Sequence, residues 1–306
     1  FRGIFRWHSR SEAEALMDCG GPNSTPNIST VSSSWPEPWF CWRILVVGGL
    51  VTFGFLYGFV RFKNYNMFPG LMITGAFFVP LACVVFVYEH NAPRNISPYR
   101  VITYIIIGGI LSLLISLYFF DLTPTLSYFL GATSAGLVEE AGKILTVLLL
   151  LRPTRHPWIH NGLLIGAAVG AGFAGFESAG YIFRFAFAME MADIRIGLEV
   201  LVRRALFAPF GHVIWTAAAG GALVLARKGS GSYAMSLFKW QFIRVLLFVM
   251  ILHMFWNSSL LDTTSRYITS RYIFAIGWSL SIVGGWYLVL LLINAGNKQV
   301  KLAQSH

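Results

Sequence analysis

Long hydrophobic stretches, separated by short polar ones, run through the chain from residue 43 to residue 293. A helix needs about 20 consecutive apolar residues to cross a bilayer. The chain contains about eight runs near this length, without the alternation over roughly ten residues that is typical of a transmembrane β-barrel. We therefore predict an all-α fold, a polytopic bundle of about eight transmembrane helices. The predicted spans are roughly 43–60, 68–88, 99–119, 125–151, 161–183, 204–226, 242–260 and 272–293.

Small residues recur every four positions along the fifth predicted span. A second run of small residues, AAAGGA, occupies positions 217–222 in the sixth. Such stripes let helix backbones approach closely in a membrane, so both runs predict packing in the centre of the bundle. The residues of the first stripe are Gly162, Gly166, Gly170, Ala174 and Ser178.

The segment 181–203 interrupts the hydrophobic pattern by mixing charged residues with Phe, Met, Ile and Leu. A helix at the membrane interface fits this mixture, and a helical extension of the flanking spans into water fits it equally well. If the functional site is buried in the membrane, this segment is a candidate gate.

Composition supports the membrane interpretation, because only 12% of the residues are charged and the net charge is +10. Soluble domains carry about twice that share of charged residues. No nucleic-acid-binding motif accompanies the basic residues, and we interpret them as orientation anchors at the ends of spans. They include Arg61, Lys63, Arg152, Arg155, Arg203, Arg204, Arg227, Lys228, Lys298 and Lys301.

The distribution of the basic residues favours a cytoplasmic location for both termini. Two N-glycosylation triplets, at Asn23 and Asn27, would argue otherwise in a cell that glycosylates them. The three cysteines lack a C-x-x-C motif, which argues against a redox or structural zinc role.

Six ionisable residues lie inside the predicted spans, where each costs roughly 2.5–3.5 kcal/mol to insert. Taken singly, a membrane histidine is most often a hydrogen-bonding group between helices, and a Glu–Lys pair can be structural. Together they occur on four predicted helices, which favours one shared polar pocket. The residues are Glu139, Glu140, Lys143, Glu177, His212 and His253, with Asn257 as an uncharged companion.

Helical spacing relates these residues to one another. Glu139 and Lys143 are four residues apart, the favourable arrangement for an ion pair on one face, while Glu140 points about 100° away. His253 and Asn257 share a face in the same way.

Carboxylates beside histidines suit the activation of water, with glutamate as general base and histidine orienting water or stabilising an oxyanion. The same residues suit a zinc ion, because three glutamates and one lysine sum to about −2. Without a metal, one or more of the carboxylates should be protonated. A transporter that relays protons or ions, or a non-catalytic scaffold that keeps the pocket for a partner, remains an alternative.

The order of the motifs resembles the PrsW family of intramembrane proteases, relatives of the CaaX-prenyl endopeptidases. The motifs are E-E-x-x-K at Glu139, F-x-x-x-E ending at Glu177, His212, and H-x-x-x-N at His253, and they span about residues 100–260. The resemblance implies cleavage of a membrane-embedded protein, such as a single-span anti-sigma-like factor in the cytoplasmic membrane of a bacterium. It also implies a site that is either zinc-dependent or metal-free.

The resemblance further implies roles for individual residues. Glu139 is the expected base, Glu140 orients a histidine, and His253 and Asn257 bind the oxyanion or the scissile carbonyl. Glu177 stands where the prenyl endopeptidases have a histidine, so the resemblance assigns it no role, and we expect it to be a ligand or a second acid. Lys143 supports the pocket. If a metal is present, the expected ligands are Glu177, His212 and His253 with Glu139 or Glu140.

These expectations divide the chain into four parts. A polar N-terminal arm (1–42) precedes the first two spans (43–98). The catalytic membrane core (99–260) follows, and the last span with a basic tail (261–306) ends the chain.

Overall fold

The computed structural model describes residues 6–9, 12, 16–21, 23–188, 193–207, 210–227, 231–258 and 268–305. Every regular element in these residues is helical, which confirms the all-α fold. The helices are α1 Phe40–Phe62, α2 Phe68–Glu89, α3 Pro98–Leu122, α4 Pro124–Leu130, α5 Ala135–Leu150, α6 Ile159–Phe183, α7 Ile194–Phe207, α8 His212–Ala226, α9 Trp240–Trp256 and α10 Ile268–Gln304. Shorter turns lie at Ile28–Thr30, Tyr65–Met67, Gly131–Ser134 and Tyr233–Ser236, and π turns lie at Tyr104–Gly108 and Arg184–Ala188.

Six helical stretches of the described chain are long and apolar enough to cross a membrane, against about eight predicted. The predicted span 125–151 is broken, because Gly131 adopts a positive φ of 55° between α4 and α5 and leaves α5 with 16 residues. The predicted span 242–260 corresponds to α9, with 17 residues. The six stretches are Phe40–Phe62, Tyr65–Glu89, Pro98–Leu122, Ile159–Phe187, Ile194–Ala226 and Ser279–Gln304.

The glycine stripe of α6 packs directly against the backbone of α8. A Cβ atom added at Gly166 would lie 2.2 Å from the carbonyl oxygen of Thr216, and one at Gly170 would lie 2.4 Å from that of His212. Gly162 makes a similar approach to α8. The predicted close packing of these two helices is confirmed, and it brings His212 against α6.

Two glycines of α5 allow similarly close packing of this helix against α9 and α3. A Cβ atom at Gly136 would lie 2.6 Å from the backbone nitrogen of Met254 in α9, and one at Gly142 would lie 2.4 Å from Ser116 Oγ in α3. The close approach at Gly136 places His253, the neighbour of Met254, beside the glutamates of α5.

The described residues just before α1 and those at the end of α10 lie at one face of the bundle. The Glu89 carboxylate, at the end of α2, accepts hydrogen bonds from the backbone N–H groups of Trp39, Phe40 and Cys41 at 2.8–2.9 Å and so caps α1. The Gln304 side chain, at the end of α10, donates to the carbonyl oxygens of Ile28 and Val31 at 2.9 and 2.7 Å.

The interrupted segment 181–203 forms a π turn after α6 and then the separate helix α7, while its residues 189–192 lie outside the described part. Gly197 and Leu201 of α7 are buried, and Leu201 packs on Gly75 of α2. The opposite face exposes apolar side chains such as Val202 and Leu206. The gating role of this segment stays a prediction.

Candidate active site

The predicted polar residues converge near the ends of four helices, at the face of the bundle opposite the chain termini. Three of them lie in the middle of α5, one near the end of α6, one at the start of α8 and one near the end of α9. In that order they are Glu139, Glu140 and Lys143, then Glu177, His212 and His253.

Glu140 is the centre of a buried polar layer. Its Oε1 accepts a hydrogen bond from Lys143 Nζ at 2.5 Å and lies 2.8 Å from His253 Nδ1. A carboxylate only accepts, so Nδ1 of His253 carries the ring proton and Nε2 keeps a lone pair. The expected pairing of Lys143 with Glu139 is only a distant contact, since Nζ lies 4.0 Å from Glu139 Oε2. The nearer partner of Lys143 is Glu140.

His212 has a partner at each ring nitrogen. Its Nδ1 lies 2.8 Å from Lys143 Nζ, and its Nε2 lies 3.1 Å from Glu177 Oε2. An ammonium group only donates hydrogen bonds, so Nδ1 accepts from Lys143 and Nε2 donates its proton to Glu177. The arrangement fixes both the tautomer and the orientation of the ring.

Arg204 of α7 joins the site from outside the predicted motifs. Its guanidinium pairs with the Glu177 carboxylate, donates to Ser178 Oγ at 2.8 Å and lies 4.6 Å from the centre of the Tyr181 ring. The interpretation of Arg204 as a span-end anchor is therefore wrong. The only hint in the sequence was that Glu177 lacked a cationic partner on its own helix. With Arg204 included, the formal charge of the site is −1 rather than −2.

Aromatic rings fix the positions of the polar groups. Trp215 lies one turn after His212 on α8, and its ring centre is 4.9 Å from that of His253 and 5.6 Å from that of His212. Phe173 lies beneath both His212 and the Lys143 ammonium, which is 4.4 Å from the ring centre. Sequence reasoning missed Trp215, because a lone tryptophan in an apolar helix carries no distinguishing signal.

Glu139 differs from its neighbour by facing an open space. Its Oε2 is buried without a hydrogen-bond partner and lies 3.7 Å from His253 Nε2. The space is a cavity of about 1010 Å³, whose wall includes Glu139, Glu177, His212, His253 and Asn257. Glu140 and Lys143 are fully buried.

Three residues of the described part could hold a metal ion together. Glu139, His212 and His253 each offer a ligand atom, and these atoms lie within 4.8 Å of one another. Two histidines and a carboxylate form a zinc-type ligand set. Glu139 Oε2 and His253 Nε2 fit this role as they stand, whereas His212 has to lose its contact with Lys143 first. Glu177 lies outside this group, with its carboxylate on Arg204 and His212.

Comparison with known families supplies independent information. The model of the PrsW family intramembrane metalloproteases matches residues 97–289, well over half of the chain and including part of α10. Searches of the curated proteins and of the solved structures gave no match. The matched region contains all four polar motifs and the cavity, and the described helices include six long enough to cross a membrane. The chain is therefore an integral membrane protein and belongs to the PrsW family of intramembrane metalloproteases.

Proposed function

We propose that Glu139 is the general base with which this chain hydrolyses a peptide bond of a membrane-embedded protein. The observation that carries the proposal is the unpartnered Oε2 of Glu139, buried at the wall of the cavity and 3.7 Å from His253 Nε2. A general base must lie within reach of the proton that it takes, and its acceptor atom must be available. In the described residues, Glu139 is the glutamate of the pair that lines the cavity.

The neighbouring residues take positioning roles in this proposal. Glu140 fixes the His253 ring by its contact with Nδ1, so that the Nε2 lone pair faces Glu139 and can accept a hydrogen bond from the attacking water. A nitrogen with a lone pair does not donate to an oxyanion. We therefore assign oxyanion binding to Asn257, whose amide carries N–H donors and which lines the same cavity.

Glu177 acts through His212 rather than on the substrate. Arg204 offsets its charge, and its Oε2 accepts from His212 Nε2. These contacts support a positioning role over that of a second acid.

The residues that would hold a zinc ion are Glu139, His212 and His253. When bound, the ion supplies Lewis-acid polarisation of the scissile carbonyl and activates water. In the metal-free alternative, Lys143 and Arg204 already offset two of the three carboxylate charges. A Glu139 Oε2 that binds a metal is not available to take a proton, so the role of Glu139 as acceptor of the water proton is proposed for the metal-free form.

The substrate that suits this site is a single-span membrane protein, for which the resemblance suggests an anti-sigma-like factor of a bacterial cytoplasmic membrane. The glutamate pair and the H-x-x-x-N motif also support a relation to the CaaX-prenyl endopeptidases.

A transporter would need a polar path across the bundle. From Leu163 to Ala174, however, α6 carries only apolar residues and glycines, which favours hydrolysis over transport.

The experiment is reconstitution of the purified protein in liposomes with a panel of single-span proteins, followed by mass-spectrometric mapping of the products. We expect one cleaved bond within or beside the span of a substrate, and no such product with Glu139→Gln. A mapped product that forms equally well with both proteins would remove Glu139 as the base.

A further inference from the structure

We propose that Lys143 controls metal binding at this site, because its ammonium group keeps His212 in a form without a free ligand atom. The inference rests on the proposed function only in assigning the ligand set Glu139, His212 and His253. It adds a specific determinant of metal affinity within the chain, one that lies outside that set.

Both ring nitrogens of His212 already have a partner. Lys143 Nζ lies 2.8 Å from Nδ1, and Glu177 Oε2 lies 3.1 Å from Nε2. Lys143 is fully buried and Phe173 lies 4.4 Å from its ammonium, so the side chain is held in this contact from several sides.

A neutral imidazole can bind a metal in two ways, through Nδ1 or through Nε2. Binding through Nδ1 requires the position that the ammonium now faces. Binding through Nε2 leaves the ring proton on Nδ1, where its N–H would point at an ammonium that has only donors. Glu177 must withdraw in the second arrangement alone. The Lys143 ammonium must move away from Nδ1 in both arrangements, so Lys143 opposes metal binding by His212 in either one.

Lys143 could withdraw from His212 and still keep a carboxylate partner. Glu140 Oε1 already accepts from Nζ at 2.5 Å, and Glu140 Oε2 is buried without a hydrogen-bond partner. A shift of the ammonium toward Oε2 would free His212 Nδ1 and satisfy an unpaired oxygen at the same time. Glu140 is thus the counter-charge of Lys143 in both arrangements.

The experiment measures zinc affinity of the detergent-solubilised chain by competition with a chromophoric chelator. The two variants to compare with the natural chain are Lys143→Met and Arg204→Met. Each removes one positive charge from the same site, but only Lys143 contacts His212 Nδ1. We expect Lys143→Met to bind zinc tighter by on the order of 10- to 100-fold, the usual size of effects of groups that contact metal ligands. Arg204→Met should change the affinity less.

Equal gains in the two variants would show that charge alone sets the affinity, and no gain in Lys143→Met would overturn the proposal outright. Absence of zinc binding in both the natural chain and Lys143→Met would overturn it as well. None of these results bears on cleavage by the natural chain or on its loss in Glu139→Gln, so the two proposals fail separately.

A second measurement needs no variant that must fold without Lys143. Nitrogen NMR of the metal-free natural chain, with labelled histidine and His212→Gln for assignment, reports which ring nitrogen of His212 carries the proton. We expect the proton on Nε2 and a hydrogen-bonded lone pair on Nδ1. A proton on Nδ1 would contradict the contact on which the proposal depends.

Discussion

Glu139 and Glu140 are neighbours in sequence, yet their carboxylates have different surroundings. Successive residues of a helix point about 100° apart, so one carboxylate faces the cavity and the other faces α9. Glu140 touches Lys143 and His253, whereas Glu139 Oε2 has no hydrogen-bond partner. Glu140 therefore stabilises the packing of Lys143 and His253, while Glu139 is available for chemistry.

This difference predicts unequal effects on stability. Glu140→Ala should lower the free energy of unfolding by about 3–5 kcal/mol, because it leaves a buried ammonium without its nearest carboxylate. Glu139→Ala should lower it far less, since Lys143 lies 4.0 Å away and keeps Glu140. Denaturant unfolding in detergent measures both values. A loss in Glu139→Ala as large as that in Glu140→Ala would contradict this division.

The sequence predicted that the six ionisable residues lie together, but it predicted neither Arg204 as a member of the cluster nor the way the charges pair. The cost of charge in a membrane was sufficient to predict that the six ionisable residues share a pocket. The spacing rule for Glu139 and Lys143 describes an isolated helix surface, whereas the lysine is held by His212 of another helix. The place of Arg204 in the site was not predictable for a related reason, because tertiary packing decides which face of α7 turns inward.

At the scale of elements, close contacts at glycines set the positions of the helices that carry the site. The repeat of small residues allowed the contact between α6 and α8 to be predicted. The break at Gly131 was not predictable from the hydrophobic pattern, because α4 and α5 continue one apolar run. The result is a short α5 whose first half carries Glu139 at the edge of the cavity.

The α6–α8 contact predicts a sharp difference between two glycine substitutions. Gly170→Ala would place a methyl group 2.4 Å from the carbonyl oxygen of His212, so α8 must move and cleavage should fall together with stability. Gly54 of α1 has no atom within 4 Å of an added Cβ. Gly54→Ala should therefore leave cleavage unchanged and stabilise by about 0.5–1 kcal/mol through helix propensity.

Cleavage rates and melting temperatures of the two variants test this prediction. Normal cleavage by Gly170→Ala would show that the contact between α6 and α8 tolerates an extra methyl group, contrary to the contact distances.

The loop between α5 and α6 makes stability depend on pH. Burial, aided by Arg100, Arg152 and Arg155, lowers the pKa of His156 from 6.5 to about 4. In the unfolded chain His156 binds a proton near pH 6.5, whereas in the folded chain it binds that proton only near pH 4. Stability should therefore be complete above about pH 6.5 and fall by about 3 kcal/mol as the pH drops to 4.

Unfolding curves of the natural chain and His156→Gln between pH 4 and pH 8 measure this contribution. The variant should show a shallower loss toward low pH. Parallel curves would assign the loss to other groups.

At the scale of the whole molecule, the described residues before α1 and the end of α10 share one face of the bundle, and the candidate active-site cavity lies toward the other. This follows from the contact of Gln304 with Ile28 and Val31, together with the positions of the site residues along their helices. The predicted cytoplasmic location of both termini would open the cavity toward the non-cytoplasmic half of the membrane.

The arrangement predicts that tags at the two termini report the same compartment. Reporter fusions at residue 1 and residue 306 should both be active in the cytoplasm, because basic loops are retained there. Fusions that report opposite sides would contradict the shared face, and two external reporters would reverse the orientation.

Hydrolysis by Glu139 is the central claim, and the single-turnover cleavage rate of Glu139→Gln in liposomes tests it most directly. Glu37→Gln makes the same chemical change on the exposed N-terminal arm and is the matched control. We predict that Glu139→Gln folds normally and cleaves at least on the order of 10²–10⁴-fold more slowly, the usual contribution of a general base, while Glu37→Gln keeps the natural rate. A folded Glu139→Gln protein that cleaves at the natural rate would contradict the account.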